Sequence, residues 1–169
     1  MKKYDWHELK SNMKIFAVID TNVLVSALMS RHADSATVLI MDYISGGDIV
    51  PIYNEEILQE YYSVLSRDKF KFPKNWIETT ICSIMKLGIH TERVFSGKEF
   101  PDHKDVVFYE VSLSIENTYL VTGNIKHFPK DPFVVTPAEM IHIVKTAKEI
   151  QTGLLNEPSG KYLSSNQQL

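Results

Sequence analysis

The stretch KIFAVIDTNVLVSAL, residues 14 to 28, decides the fold of this chain. Its first part, Ile15 to Ile19, is a continuous apolar run, which is typical of a strand buried on both faces of a parallel sheet. Asp20 ends this run, and Thr21 to Leu28 then follows the periodicity of a helix. Open α/β sheets gather ligands at the carboxyl ends of their strands. The stretch therefore predicts an α/β fold with a carboxylate at its ligand-binding edge.

The same alternation of short apolar runs and longer helical patterns continues along the chain and predicts a central parallel sheet flanked by helices. Further strands are expected at residues 49–53, 89–95, 119–122 and 133–135, and helices at residues 34–44, 54–66, 75–87, 103–115 and from 136 onward. Because Pro51 cannot donate to a central ladder, we expect the strand at 49–53 to lie at the outside of the sheet.

Residues that favour helix ends support these boundaries. Gly46 and Gly88 are expected to stop the helices that precede them. Asn54 is a favourable N-cap, and Thr136-Pro137-Ala138-Glu139 has the form of a capping box with proline at the first helical position.

Length and composition limit the organisation of the chain. With 169 residues, 44% of them apolar, it can bury one core, and we expect an N-terminal extension at 1–12, a domain at 13–150 and a disordered tail at 151–169. No apolar stretch has the length of a membrane span or the layout of a signal peptide, so a soluble, cytoplasmic protein with no membrane partner is expected. The single cysteine, Cys82, excludes an internal disulfide, and the six scattered histidines do not suggest a zinc site. A net charge of −3 argues against coating nucleic acid by bulk electrostatics, so any contact with nucleic acid must be local.

Polar side chains fall where predicted strands end or helices begin. These positions are Asp20, Asp102, Asp105 and Asn124. Each has an ordinary structural alternative: Asp20 could cap the first helix, Asp102 and Asp105 could form a capping box, and Asn124 could cap a short turn.

Glu60 is harder to explain as a surface residue. On helical spacing it stands one turn from Ile57 and Val64, at the edge of an apolar stripe. An ionised carboxylate in that setting needs either a basic side chain or a bound cation. Asp105 has a similar setting, because its helix is apolar on two sides.

Four motifs in this order resemble the PIN domain family. They are Asp20-Thr21-Asn22 with the helix after it, Glu60-Tyr61 with Val64-Leu65, Asp102-x-x-Asp105, and Leu120-Val121-Thr122-Gly123-Asn124. The resemblance covers about residues 13 to 144 and is strongest to the bacterial branch of toxins from type II toxin-antitoxin systems, the VapC-like ribonucleases. It implies a PIN-like three-layer fold, with a central parallel sheet flanked by helices. It also implies endonucleolytic cleavage of single-stranded RNA and a cognate antitoxin protein, and a homodimer is expected as a further assembly.

The resemblance also implies roles for individual residues. Asp20, Glu60 and Asp105 would bind Mg²⁺ or Mn²⁺, whose preference for hard oxygen ligands they suit, and with Asn124 they form the expected catalytic set. Thr21, Asn22 and Thr122 would orient ligands or the scissile phosphate, and Asp102 would support the cluster or cap its helix. Asn124 departs from the family pattern, in which many members have aspartate. Its amide oxygen can hold a water molecule but adds no charge for a second metal.

Basic residues near the expected rim could bind phosphates on either side of the cut, although surface exposure alone explains any single one of them. They are Arg31, Arg67, Lys69, Lys71, Lys104, Lys126, His127 and Lys130, of which Lys104, Lys126 and His127 are the preferred RNA contacts. A phosphatase of the haloacid dehalogenase type would need aspartate at Asn22, and no glycine-rich phosphate loop follows the first strand. The remaining alternative is a PIN-like module that binds RNA or an antitoxin without cutting.

Overall fold

The structure, a computed structural model, describes residues 14–155, with side chains as far as residue 153. Five strands form one sheet in the order β3-β2-β1-β4-β5: β1 Ile15–Ile19, β2 Ile49–Tyr53, β3 Ile89–His90, β4 Thr118–Val121 and β5 Val134–Val135. The described helices are α1 Thr21–Met29, α2 Ala36–Ser45, α3 Glu55–Leu65, α4 Lys74–Leu87, α5 His103–Ser112 and α6 Pro137–Leu155, with a short 3₁₀ helix at Ile125–His127. The extension predicted at 1–12 and the tail from 156 lie outside the described residues, whereas residues 151–155 belong to α6.

Strand β1 lies at the centre of the sheet, parallel to β2 on one side and to β4 on the other. Three consecutive residues, Ala17, Val18 and Ile19, have no exposed surface. Because neighbouring side chains of a strand point to opposite faces, both faces of the sheet must be covered. Helix α5 packs against β1 and β4, and α2 packs against β2 and α6. The predicted PIN-like α/β fold, a parallel sheet between layers of helices, is therefore confirmed.

Strand β2 was expected at the outside of the sheet because of Pro51, and that expectation is wrong. The strand lies between β1 and β3, and Pro51 itself is in register with Ala17 of β1. The proline is tolerated because the ladder with β3 begins only at Ile52. No N–H is therefore required of Pro51 on that side.

Strand β3 is much shorter than the predicted 89–95, since only Ile89 and His90 pair with β2. After His90 the chain leaves the sheet and is bound by α5 instead. The backbone N–H of Val94 donates to the carbonyl of Glu110 (3.0 Å), and the Arg93 guanidinium contacts the buried Glu110 carboxylate (2.9 Å). The apolar run at this point therefore predicted a longer strand than tertiary contacts allow.

The predicted helix boundaries are confirmed wherever the sequence offered a cap. The Asn54 side chain accepts a hydrogen bond from the Ile57 N–H (2.9 Å) at the start of α3. Thr136 and Glu139 form the expected capping box, in which the Glu139 carboxylate accepts from the Thr136 N–H (2.7 Å) and the Thr136 hydroxyl accepts from the Glu139 N–H (3.2 Å). Helix α5 ends three residues before the predicted 115. None of the helices between residues 14 and 155 combines the length and the apolar character of a membrane span.

Gly88 ends α4 at a point where the backbone of β2 passes very close. A Cβ atom at this position would stand 2.4 Å from the carbonyl oxygen of Pro51 and 2.6 Å from that of Ile84. Both neighbours are backbone atoms, so neither can rotate away. The close approach of α4 to β2 therefore requires glycine.

We predict that Gly88→Ala lowers the free energy of unfolding by about 1–3 kcal/mol, because the added methyl group forces the α4–β2 contact apart. Urea denaturation followed by circular dichroism measures the change. Gly153→Ala is the matched control, since a Cβ at Gly153 in α6 meets no atom within 4 Å. Alanine favours helix over glycine, so the control should be as stable as the wild type or more stable. Equal stability of Gly88→Ala and the wild type would contradict the packing argument.

Candidate active site

The carboxyl ends of β1 and β4 bring Asp20 and Thr122 side by side. Ile19 is in register with Val121, and the Asp20 N–H donates to the Val121 carbonyl (2.9 Å). The Thr122 hydroxyl donates to Oδ2 of Asp20 (2.7 Å), and Nδ2 of Asn22 donates to the same oxygen. Asp20 occupies the N-cap position of α1, but its side chain makes no capping hydrogen bond. The carboxylate is therefore held by Thr122, at the end of the neighbouring strand, and by the side chain of Asn22.

The turn after β4 is held by side chains of this same group. Oδ1 of Asn22 accepts from the Gly123 N–H (2.9 Å), and the Thr122 hydroxyl accepts from the Asn124 N–H (2.9 Å). A Cβ at Gly123 would approach Oδ1 of Asn22 to 3.1 Å, so a small residue fits best there. The Asn124 side chain is exposed and makes no hydrogen bond to the described residues, including no cap on the 3₁₀ helix that follows it. Asn124 is thus held by its backbone, with its amide free at the rim.

Burial makes ionisation of Asp20 unfavourable. The residue is 6% exposed, and loss of solvation raises the pKa of its carboxyl group above the ordinary value. Hydrogen bonds from Thr122 and Asn22 oppose this effect, whereas the negative charge of Asp105 adds to it. Tyr61 lies beneath, fully buried, with its hydroxyl donating to the Ile19 carbonyl. Burial and the charge of Asp20 raise the pKa of Tyr61, so its hydroxyl stays a neutral donor.

Glu60 on α3 and Asp105 on α5 approach Asp20 from the helices, and each carries a nearby basic group. Lys104 Nζ lies 4.0 Å from the Glu60 carboxylate, and His127 Nδ1 lies 3.2 Å from Oδ2 of Asp105. Burial is the main cause of the raised pKa of Asp105, to which the charges of Asp102 and Glu60 also contribute, while His127 opposes the rise. Asp20 and Asp105 therefore lie close enough to repel one another through a poorly solvated region.

Asp102 serves as the N-cap of α5. Its side chain accepts a hydrogen bond from the Lys104 N–H (3.0 Å), which is the structural alternative that the sequence left open. The capping box proposed with Asp105 does not form, because the Asp105 side chain turns to His127 instead. Asp102 therefore fixes the start of α5, from which Asp105 extends toward Asp20.

A cleft of about 460 Å³ joins these side chains. Most of the residues predicted for the site line it: Asp20, Thr21, Asn22, Glu60, Asp102, Lys104, Asp105, Asn124 and His127, together with Arg67 and Lys69 from the wider basic set. Thr122 stands directly behind Asp20. Lys126, Arg31, Lys71 and Lys130 do not line the cleft. The structure thus brings the acidic motifs together in one cleft. It also separates the basic candidates into those that line the cleft and those that do not.

The cleft wall also contains apolar and small residues to which the sequence pattern assigned no role in the site. These are Val25, Ser26, Val64, Phe70 and Phe108. Val25, Val64 and Phe108 follow helical periodicities that indicate only packing. Phe70 is different, because its place between Lys69 and Lys71 was an available signal of an exposed aromatic among basic residues.

The oxygen-rich chemistry of the cleft suits a divalent cation. The carboxylates of Asp20, Glu60 and Asp105 are hard ligands, and their mutual repulsion would be relieved by a positive charge between them. The Thr21 hydroxyl is a further buried oxygen in the cleft, and it has no hydrogen-bond partner. Within residues 14–153, however, no three acidic, histidine or cysteine side chains stand close enough to enclose one ion. The donors fit such an ion, and enclosing it would require the Glu60 and Asp105 side chains to move closer to Asp20.

A comparison with protein families agrees with this arrangement. The family model described as PIN domain matches residues 17–126, a segment that contains Asp20, Glu60, Asp105 and Asn124. The chain belongs to the PIN domain family. PIN domains are typically nucleases, generally depend on divalent metal ions and generally bind RNA or other nucleic acid. No curated protein and no solved structure gives a significant match to the chain.

The raised pKa of Asp20 predicts how metal-free stability depends on pH. A carboxyl group with a higher pKa in the folded state binds more protons when folded, so stability falls as the pH rises through that pKa. Asp20→Asn removes the charge while its amide oxygen can still accept from Thr122 and Asn22. We therefore predict that, in chelator, the variant is more stable than the wild type at neutral pH and that the gap closes toward pH 4. Urea unfolding of both proteins across this range measures the gap.

Asp34→Asn is the control for removing one negative charge, since Asp34 is exposed and lies outside the cleft. It should follow the wild type at every pH. A gap between Asp20→Asn and the wild type that is constant with pH, or of the opposite sign, would contradict the argument from burial.

Proposed function

We propose that this PIN domain is a metal-dependent endoribonuclease that hydrolyses phosphodiester bonds of single-stranded RNA and that it is the toxin of a toxin-antitoxin pair. The observation that carries the nuclease proposal is the convergence of Asp20, Glu60 and Asp105 on one cleft, with the pKa of two of them raised by burial and by neighbouring carboxylates. Ionising carboxyl groups that are buried and close together costs free energy, whereas isolated surface carboxyl groups ionise without that cost. Such clusters of negative charge are typical of functional sites.

Asp20, Glu60 and Asp105 would hold Mg²⁺ or Mn²⁺. Such an ion, when bound, acidifies a water nucleophile and neutralises charge that develops on the phosphate. The side chains of the site would hold the ligands of this ion and the water molecule in place. Thr122 and Asn22 fix Oδ2 of Asp20, so the carboxylate keeps one orientation whether or not its charge is neutralised. Asn124 presents its exposed amide at the rim, where it can hold a water molecule against the phosphate.

Lys104 and His127 have a second use in this proposal. Both line the cleft and contact the carboxylates through flexible, half-exposed side chains. When a cation replaces them, their donors become free for the phosphate groups of the RNA. The same two residues would then neutralise the empty site and grip the substrate in the occupied one.

A module that binds RNA or an antitoxin without cutting is the second candidate. Two observations favour it: among the described residues the three carboxylates do not stand close enough together to form an ion-binding cluster, and Asn124 adds no charge to them. The two functions differ in turnover. The nuclease cleaves RNA in Mn²⁺ or Mg²⁺ and stops in chelator, whereas the module binds RNA in both conditions and cleaves in neither.

We predict that purified protein cleaves end-labelled single-stranded RNA in Mn²⁺ and that Asp20→Asn, Glu60→Gln and Asp105→Asn each lower the rate by at least about 100-fold, because a ligand matters at least as much as the groups that orient it. Gel electrophoresis of the products measures the rates. Glu55→Gln is the matched control, an exposed glutamate on the same helix as Glu60. Wild-type rates in all three variants would remove these residues from the chemistry. Growth arrest on expression in a bacterial host, relieved by Asp20→Asn, tests the toxin role.

Asn124→Asp tests whether the rim position belongs to the metal site. An added carboxylate should tighten metal binding if the side chain faces the ion. We predict that each Mg²⁺ concentration raises the melting temperature of the variant by more than that of the wild type, because a ligand that prefers the native state stabilises it by an amount that grows with the ratio of its concentration to its dissociation constant. Thermal unfolding across a Mg²⁺ series measures this. An unchanged dependence on Mg²⁺ would leave Asn124 as a turn residue.

A cognate antitoxin and a homodimer stay predictions.

A further inference from the structure

The loop between α3 and α4 concentrates positive charge and aromatic rings in a chain that is otherwise acidic. Residues 67–74 have the sequence Arg-Asp-Lys-Phe-Lys-Phe-Pro-Lys, with four basic residues and one acidic, whereas the whole chain carries a net charge of −3. Basic residues that alternate with aromatics are typical of surfaces that bind single-stranded nucleic acid. We call residues 67–72 the basic-aromatic loop.

The two phenylalanines of the loop are partly buried and form an ordered stack, in which Phe72 also packs against the core. The rings of Phe70 and Phe72 lie 5.4 Å apart at an angle of 10°. Lys71 between them has a φ of 52°, a left-handed conformation that non-glycine residues seldom adopt. The turn is closed by a hydrogen bond from the Phe70 N–H to the Arg67 carbonyl (3.0 Å), and Pro73 then leads into α4. A strained backbone at a solvent-exposed loop is a feature that often accompanies a functional surface.

The loop connects the candidate active site to a second cavity. Phe70, Lys69 and Arg67 line the cleft that holds the acidic residues. Phe72 and Lys71 line a neighbouring cavity of about 290 Å³, and Arg67 borders both spaces. A chain that leaves the cleft along this loop would therefore pass the aromatic stack and enter the second cavity. Basic side chains lie along the whole path.

The contacts of the Phe70 ring allow an RNA base to stack on it. Lys69 Nζ lies over the Phe70 ring, 4.8 Å from its centroid, and Phe72 fixes the orientation of that ring. Lys69 is exposed, and a cation over a partly exposed ring is held more weakly than a base that stacks on it. A base can therefore displace the ammonium group, which then lies free beside the phosphate of the same nucleotide.

We propose that the basic-aromatic loop is a binding subsite for single-stranded RNA outside the scissile bond, in which a base stacks on Phe70 and Arg67, Lys69 and Lys71 bind the flanking phosphates. The inference rests on the proposed function for the identity of its ligand. It extends that function because it places the RNA on one side of the scissile bond along the basic-aromatic loop. Unpaired bases are required, since the bases of a duplex are already stacked.

The test is a binding measurement that needs no cleavage. Fluorescence anisotropy of a labelled oligoadenylate of about 12 nucleotides is measured in chelator with the full-length Asp20→Asn chain and with variants made in that background. Phe70→Leu keeps the apolar volume and removes the aromatic face, and we expect it to weaken binding about tenfold or more. Lys69→Gln and Arg67→Gln should each reduce the dependence of affinity on salt, since each removes one phosphate contact.

Phe95→Leu is the matched control, because Phe95 is an 85% exposed phenylalanine that does not line the cleft. It should bind RNA as the parent does, and Phe70→Trp should retain or improve affinity because it restores an aromatic face. The loss in Phe70→Leu should vanish for a duplex of the same length. Equal affinity of Phe70→Leu and the parent for the single strand would overturn the proposal, as would no binding by the parent. Polyglutamate serves as a probe for an acidic protein partner. If Phe70→Leu binds the single-stranded RNA as the parent does but no longer binds polyglutamate, the loop is assigned to an acidic protein partner and the proposal is overturned too.

The outcome separates this inference from the nuclease proposal. Binding that depends on Phe70, in a protein whose wild-type form never cleaves RNA in Mn²⁺, would support the basic-aromatic loop and overturn the nuclease. Cleavage that depends on Asp20, without any effect of Phe70→Leu on binding or on the rate, would do the reverse.

Discussion

One buried carboxylate organises the active end of this protein. Asp20 stands at the carboxyl end of the central strand with 6% of its surface exposed, and Oδ2 accepts hydrogen bonds from Thr122 and Asn22. A buried charge without partners is too costly to keep, so Thr122, directly after β4, and Asn22 in α1 supply these donors. The same two side chains also position the backbone of Gly123 and Asn124. The hydrogen bonds that hold the Asp20 carboxylate therefore also set the local structure around it.

The electrostatics of the cleft extend from this centre. Asp105 and Glu60 add negative charge to a region where Asp20 is already poorly solvated, and Lys104 and His127 offset part of the repulsion. These two basic side chains are half exposed, so the pairs are weak and exchange easily with other ions. The arrangement is suited to a site that alternates between its own cations and external ones.

Net charge conceals how this surface is divided. The chain is acidic overall, yet the basic-aromatic loop carries three basic residues, two of which, Arg67 and Lys69, line the cleft. Local charge, and not the total, decides where a polyanion binds at physiological ionic strength, because screening limits electrostatic reach to about 8–10 Å. Phe70 and Phe72 add contact surface that does not weaken with salt. In the proposed function, the acidic cleft would act on the RNA backbone and the neighbouring basic-aromatic loop would bind the flanking nucleotides.

The sequence by itself determined the elements and the family. Apolar runs and helical periodicity predicted the order of strands and helices, and caps such as Asn54 and the Thr136–Glu139 box predicted boundaries, because these are interactions between residues close in the chain. Asp20 could also be selected from sequence, since strand ends in parallel sheets meet at one edge, whereas Glu60 and Asp105 were selected from their apolar helical settings and from the resemblance to the PIN domain family.

Only the tertiary structure decided what depends on distant partners. Pro51 lies in an inner strand because β3 pairs beyond it, and the predicted strand at 89–95 stops at His90 because Arg93 and Val94 bind Glu110. In the same way, Thr122 holds the Asp20 carboxylate across 102 positions of sequence. The pairing of Asp105 with His127 and the stack of Phe70 on Phe72 depend equally on side-chain direction. Periodicity and capping preference register only neighbours in the chain, so contacts that close across the fold had to come from the structure.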